Sequence, residues 1–184
     1  MKRLVTVFLA LIMCCTTFCG CSNNNTALTK ESFKEKWEVN LNANDVKVII
    51  DADVTYLNDD MLAIFSATQA HKLSYIDLLG ITVTGGNSYV ACGVYDLLTQ
   101  LEYIGMGDIP VYAGREQPLN GFIDVEKFKK QAGDIGYYGC YACEKHTDDY
   151  TKAKTEGSAT SPLPAPTIAM QQQSSVDFII EQAH

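Results

Sequence analysis

The chain has 184 residues, of which 47% are hydrophobic and 20% charged, enough for one α/β domain and too few for two. That composition excludes disorder as the default state. The formal net charge of −8, with no Lys/Arg cluster interleaved with aromatics, excludes a nucleic-acid partner, which needs a basic face.

Lys2 and Arg3 precede an apolar run from Leu4 to Met13. The run is too short for a permanent bilayer-spanning helix and has the charged-then-apolar layout of a secretory signal. Closing on Gly20-Cys21, it resembles a bacterial lipoprotein signal, which implies that Cys21 becomes the lipidated N-terminus. The expectation is a signal over residues 1–21, a polar tether over 22–44 and the N-terminal part of one α/β domain over 45–184. The protein is then expected in the bacterial cell envelope, lipid-anchored to the membrane, or periplasmic or extracellular. Only Cys92, Cys140 and Cys143 remain in the domain, so at most one internal disulfide forms. Cys140-x-x-Cys143 with His146 is a short zinc half-site, a disulfide pair or a pair of thiols.

Val46-Lys47-Val48-Ile49-Ile50 is a β-branched run suited to a buried strand. From Asp60 to Ala70, a stripe of Met61, Leu62, Ile64, Phe65 and Thr68 predicts a helix, with Asp59 and Asp60 at its start to cap the exposed N–H groups. Ile76–Thr84 is a second strand and ends in Gly85-Gly86-Asn87. The next helix runs from Tyr89 to Ile104, with Val90, Val94, Leu97, Leu98, Leu101 and Ile104 on one face and Gly105 placed to stop it. Ile109–Tyr112 is a third strand. Strands alternating with helices at this spacing predict an α/β fold, an open, mostly parallel sheet with flanking helices and a Rossmann-like core.

Beyond Leu119 the periodicity fades. Residues 133–166 are rich in Gly, Tyr, Ser, Thr and Pro, which predicts a functional flap or a partly ordered insertion. Tyr137, Tyr138 and Tyr141 either stack on a ligand ring or fill this loop. Ser174–Ala183 is expected to be an amphipathic helix with Val176, Ile179 and Ile180 inward. A helix followed by no strand predicts a domain that continues beyond His184. His71, at a helix end, is expected to be a surface group that compensates the dipole.

In open parallel sheets, ligands bind outside the carboxyl ends of the strands. Asp51 and Asp53 follow the first strand and Asn87 the second, with Asp59 and Asp60 just behind. Four carboxylates so close must keep protons or take up a cation. Oxygen-only ligands select calcium or magnesium over zinc. The bland alternative is a solvated acidic turn with Asp59 as a helix cap.

Val48-Ile49-Ile50-Asp51-Ala52-Asp53, followed after five residues by Asp59-Asp60, resembles the N-terminal signature of the inosine-uridine nucleoside hydrolases. Leu78–Asn87, Asp108–Gly114 and Val176–Ile180 are similar to later segments of that family. The resemblance implies hydrolysis of the N-glycosidic bond of ribonucleosides with calcium as cofactor. It makes Asp53 a calcium ligand and the general base for water, and Asp60 a second ligand. Asp51 is then a metal ligand or the residue that orders the site, and Asp59 and Asn87 bind the ribose hydroxyls. It also places further calcium ligands and a late histidine-aspartate pair in a second half outside this sequence, and leaves homo-oligomerisation open. The loop Val54–Asn58 lacks the glycine many members carry there. Two alternatives use the same residues. Asp51-Ala52-Asp53-Val54-Thr55 also resembles the first motif of haloacid-dehalogenase phosphatases, with Asp51 as nucleophile, Asp53 as acid/base and magnesium as the ion. The other is a lipoprotein that binds ribosides without cleaving them.

Overall fold

The computed structural model describes residues 46–119, 121, 124–142 and 146–183. The expected signal and tether, Cys21 and Cys143 lie outside the described residues, as does the side chain of Tyr141. Three strands, β1 (Lys47–Ala52), β2 (Asp77–Val83) and β3 (Val111–Ala113), form a parallel sheet in the order β1-β2-β3. Helix α1 (Asp59–Lys72) joins the first pair and α2 (Val90–Tyr103) the second, followed by α3 (Val125–Ala132) and α4 (Ser175–Gln182). The expected parallel α/β core is therefore present. As the central strand, β2 buries Leu78, Gly80, Ile81, Thr82 and Val83 almost without alternation, the pattern of a parallel strand covered on both faces. Its Ile81 and Val83 pack with Met61 and Ile64 of α1, Leu97, Leu98 and Leu101 of α2, and Val111 of β3.

Several local expectations change. The cap of α1 is Asn58, whose Oδ1 accepts the Met61 N–H at 3.1 Å; Asp59 and Asp60 occupy the first turn instead. Asn keeps its acceptor at neutral pH while its amide remains available to a neighbour. Leu62 leaves the predicted stripe and is 69% exposed. On α2 every residue from Val90 to Leu101 is buried, so its predicted polar side is covered as well. The cover comes from the second part of the supposedly irregular 133–166 segment. Ala153 packs on Cys92 and Tyr95. The Asp96 carboxylate accepts the Thr160 and Ser161 N–H groups at 3.2 and 2.8 Å, and Thr99 Oγ1 donates to Ser161 Oγ at 2.8 Å. A segment fastened by side chain–backbone bonds needs no hydrophobic period, which is why none is visible in its sequence.

The predicted inward face of α4 is reversed. Val176, Ile179 and Ile180 are exposed, while Ser175 and Phe178 are buried. Phe178 stacks on Tyr112 of β3 with ring centroids 3.9 Å apart, and that aromatic contact decides the face. His71 lies in the last turn of α1, as expected, and also makes a tertiary contact: its Nδ1 accepts the Leu78 N–H at 3.0 Å, which ties the end of α1 to β2.

Candidate active site

The carboxyl ends of the strands converge through backbone bonds. Thr84 N donates to Ala52 O at 3.0 Å and Gly85 N to Arg115 O at 3.1 Å, so the turn after β2 is held between the exits of β1 and β3. On this frame Asn87 N donates to Asp53 Oδ2 at 2.8 Å, and Ser88 Oγ donates to Val54 O at 2.7 Å. The Asn87 amide nitrogen reaches Asp60 Oδ2 at 3.4 Å, and the same oxygen accepts from Asn58 Nδ2 at 2.6 Å. Asp53, Asp60 and Asn87, predicted from sequence as site residues, thus form one hydrogen-bonded group. Gly86 lies against it, because a Cβ there would stand 2.2 Å from Asp53 Oδ2.

Asp51 and Asp59 stand apart from that group. Asp51 Oδ1 accepts the Thr82 hydroxyl at 2.5 Å, and Asp59 is exposed in the first turn of α1. Burial raises the Asp60 carboxyl above its ordinary value; the hydrogen bond from Asn58 opposes this, the charges of Asp53 and Asp59 reinforce it, and Asn87 opposes it more weakly. Among the described residues no lysine or arginine pairs with Asp53, Asp59 or Asp60, so their repulsion has no cationic answer within this segment. An oxygen-only donor set with uncompensated negative charge suits a hard divalent cation. Among the described residues, however, no three His, Cys, Asp or Glu side chains converge as a metal cluster. Asp51, Asp53 and Asp60 therefore do not by themselves make a coordination shell.

A cavity of about 260 Å³ opens beside this group. Asp53 and Asn87 form its polar wall, and Phe128, Ile135, Tyr137 and Tyr138 face them. Asp51 does not line it. The aromatic wall is fastened to the turn after β2, with Cys140 N donating to Gly86 O at 2.8 Å and Tyr137 OH donating to Asn87 Oδ1 at 3.0 Å. The first part of the 133–166 segment therefore lies against the site.

Sequence reasoning missed Asn58, Gly86 and Glu116. Asn58 carried a signal, an asparagine three residues before the first buried position of α1. Glu116, just beyond β3, accepts the Val90 N–H with Oε2 at 2.7 Å and so caps α2, where Tyr89 supplies no side-chain cap. Its Oε1 is buried without a partner among the described residues, and burial raises its carboxyl. His146, which had no nameable partner in sequence, pairs through Nε2 with Asp148 Oδ1 at 3.1 Å and rests its ring on Tyr89, centroids 4.4 Å apart.

Acidic groups and an asparagine gather at the carboxyl edge of an open parallel α/β sheet, the edge at which such folds bind their ligands. Residues 48–184 match the family described as inosine-uridine preferring nucleoside hydrolases, and the chain belongs to that family. It is 38% identical over 74 residues to an uncharacterized protein of Schizosaccharomyces pombe, covering 40% of this chain and 22% of that protein. It is 31% identical over 121 residues to uridine nucleosidase 1 of Arabidopsis thaliana, covering 64% of this chain and 32% of the nucleosidase. A solved purine-preferring ribonucleoside hydrolase from Gardnerella vaginalis matches at 25% identity and a TM-score of 0.48, over 74% of this chain and 35% of that one. The chain thus spans between 22% and 35% of the length of these relatives. Family membership displaces the phosphatase reading, in agreement with a cavity that Asp53 lines and Asp51 does not.

Proposed function

We propose that this chain supplies the carboxylate-bearing part of a site that hydrolyses the N-glycosidic bond of ribonucleosides to ribose and free base. The carrying observation is the joining of Asp53, Asn87 and Asp60 beside an aromatic-walled cavity. Asp53 is the general base. Its Oδ2 is held by the Asn87 N–H, leaving Oδ1, which accepts no hydrogen bond among the described residues, to take the proton from the attacking water. Asp59, exposed at the mouth of α1, and Asn87 offer hydrogen-bonding groups to the ribose hydroxyls. The negative charge of the group favours the oxocarbenium-like sugar that forms as the base departs. Asp53 and Asp60 are the residues that would hold a calcium ion, with Asp51 ordering the β1 exit from behind. Bound there, the cation would orient water and moderately lower its pKa.

The deciding experiment is ribose release from inosine and uridine by the full-length gene product that contains this chain, with calcium and after chelation. We expect calcium-dependent turnover, and for Asp53→Asn a fall of about 10²–10⁴-fold, the usual worth of a general base. Nucleoside binding without turnover would make this a riboside-binding protein. Neither binding nor turnover would end the nucleoside reading, and full activity in Asp53→Asn would remove Asp53 from its role.

The charged-then-apolar start and Gly20-Cys21 support export and attachment to the membrane through a lipid on Cys21. No helix among the described residues is long and apolar enough to cross a membrane. Radiolabelled palmitate should enter the wild-type chain in bacterial cells and be absent from Cys21→Ala. Equal labelling of the two would defeat the anchor.

A further inference from the structure

Asn87 is held at three points, and only one of them comes from outside the motif that marks the site. Its backbone N–H is committed to Asp53 and its amide nitrogen to Asp60, the latter at a long 3.4 Å. At that distance the Asp60 contact is a weak restraint on the side chain. The shorter contact is the Tyr137 hydroxyl, 3.0 Å from Asn87 Oδ1 and 3.3 Å from its backbone oxygen.

We propose that Tyr137 is a positioning residue whose hydroxyl locks the Asn87 carboxamide with its nitrogen toward Asp60, so that seating of the 133–140 segment sets the sugar-recognising face of the cavity. The ligand of this face rests on the nucleoside reading, whereas the lock rests on the hydrogen bonds of Asn87 themselves. A carboxamide has two orientations related by a half-turn, with oxygen and nitrogen exchanged. The flipped one would aim Oδ1 at the Asp60 carboxylate, acceptor against acceptor. Tyr137 reinforces the other by giving Oδ1 a donor on the opposite side.

Fold stability gives Tyr137 little reason to be there. The residue is 60% exposed, and exposed positions contribute little to stability. The segment around it has its own fastenings. Gly136 N and Tyr138 OH both donate to Asp134 Oδ1, at 2.8 and 2.9 Å, Ile135 N donates to Tyr138 OH at 3.1 Å, and Cys140 N is fixed to Gly86 O. Tyr137→Phe therefore removes the lock and leaves both the ring and the segment in place.

The test uses the full chain labelled with ¹⁵N, in which the Asn87 side-chain amide resonances are assigned from their loss in Asn87→Asp. Tyr137→Phe should shift those resonances and speed exchange of the amide protons, with the backbone spectrum of α1 and α2 unchanged. Asn87 amide resonances that do not move would overturn the lock. In the ligand arm, Tyr137→Phe should raise KM for inosine about 2–10-fold, the worth of one ordinary hydrogen bond, with kcat within about twofold of wild type. That penalty should shrink on the 2′- or 3′-deoxynucleoside lacking the hydroxyl that Asn87 faces, a selectivity that a merely loosened fold would not produce. An equal penalty on all three substrates would overturn the sugar-recognising role. A wild-type chain that binds neither inosine nor uridine sinks the nucleoside reading and the ligand role with it, while the amide resonances still decide the lock.

Discussion

Gly86→Ala should abolish nucleoside turnover and destabilise the domain by about 1–3 kcal/mol, the range for overpacking a filled site. The added methyl would stand 2.2 Å from Asp53 Oδ2 and 2.7 Å from Asp53 Cβ. Rotating the end of a flexible side chain cannot relieve the second contact, so either the exit of β1 or the turn after β2 has to move. Asn87 N binds that same carboxylate oxygen, and Gly86 O accepts from Cys140 N, so a shift here disturbs the base, the asparagine and the flap together. Gly107 provides the control. An alanine Cβ there would meet side-chain atoms of Ile168 at 3.3 Å, with the nearest backbone atom, Glu102 Cα, at an ordinary 3.9 Å, and should cost under about 1 kcal/mol. Urea denaturation and ribose release on both variants decide the matter. A Gly86→Ala protein with wild-type turnover would show that the contact between Gly86 and Asp53 does not set the geometry of the site.

The parts of the fold legible in sequence are those whose signal is local. The β-branched runs of β1 and β2, the long apolar face of α2 and the acidic group after β1 all depend on neighbours within a few positions. Asp53, Asp60 and Asn87 were found because a parallel sheet brings the exits of adjacent strands to one edge. What was not legible depends on partners far along the chain. An eight-residue helix such as α4 has two turns and two plausible faces, and Phe178 was chosen over Val176 and Ile179 by a tyrosine more than sixty residues earlier. Glu116 reads as a surface residue until the N-terminus of α2 is placed beside it. The fastening of residues 153–161 to α2 leaves no periodic trace, since its main bonds run from backbone N–H groups to the single carboxylate of Asp96.

That carboxylate carries the second large expectation. Asp96→Ala should destabilise the domain by about 3 kcal/mol, a large share of the roughly 5–15 kcal/mol available to a domain of this kind. Asp96 is wholly buried. Its Oδ2 accepts the N–H and hydroxyl of Thr160, both at 3.2 Å, and its Oδ1 accepts the Ser161 N–H at 2.8 Å. Alanine would leave the N–H of the fully buried Ser161 without this acceptor and release the two bonds that hold the more exposed Thr160. Asparagine would turn one oxygen into an NH₂ group facing an N–H, so Asp96→Asn should also lose stability, though less. The pH dependence separates the two charge states. Burial raises the folded Asp96 carboxyl above 3.8, against the hydrogen bonds from Ser161, Thr160 and Tyr56. The folded state therefore holds a proton that the unfolded state has released, in the window just above 3.8. Stability from this group is greatest at low pH and is lost as pH rises through the raised value. Asparagine has no such titration, so the gap between wild type and Asp96→Asn should narrow from about pH 4 to pH 7 in urea unfolding. A gap that widened would reverse the direction assigned to Asp96. Because Tyr56 N–H also binds this carboxylate, and Tyr56 lies in the loop that delivers Asn58 to Asp60, Asp96→Ala should weaken nucleoside binding even where the chain remains folded. On this expectation a buried carboxylate outside the cavity lining fastens residues 160–161 to α2 and steadies the loop that leads to Asp60.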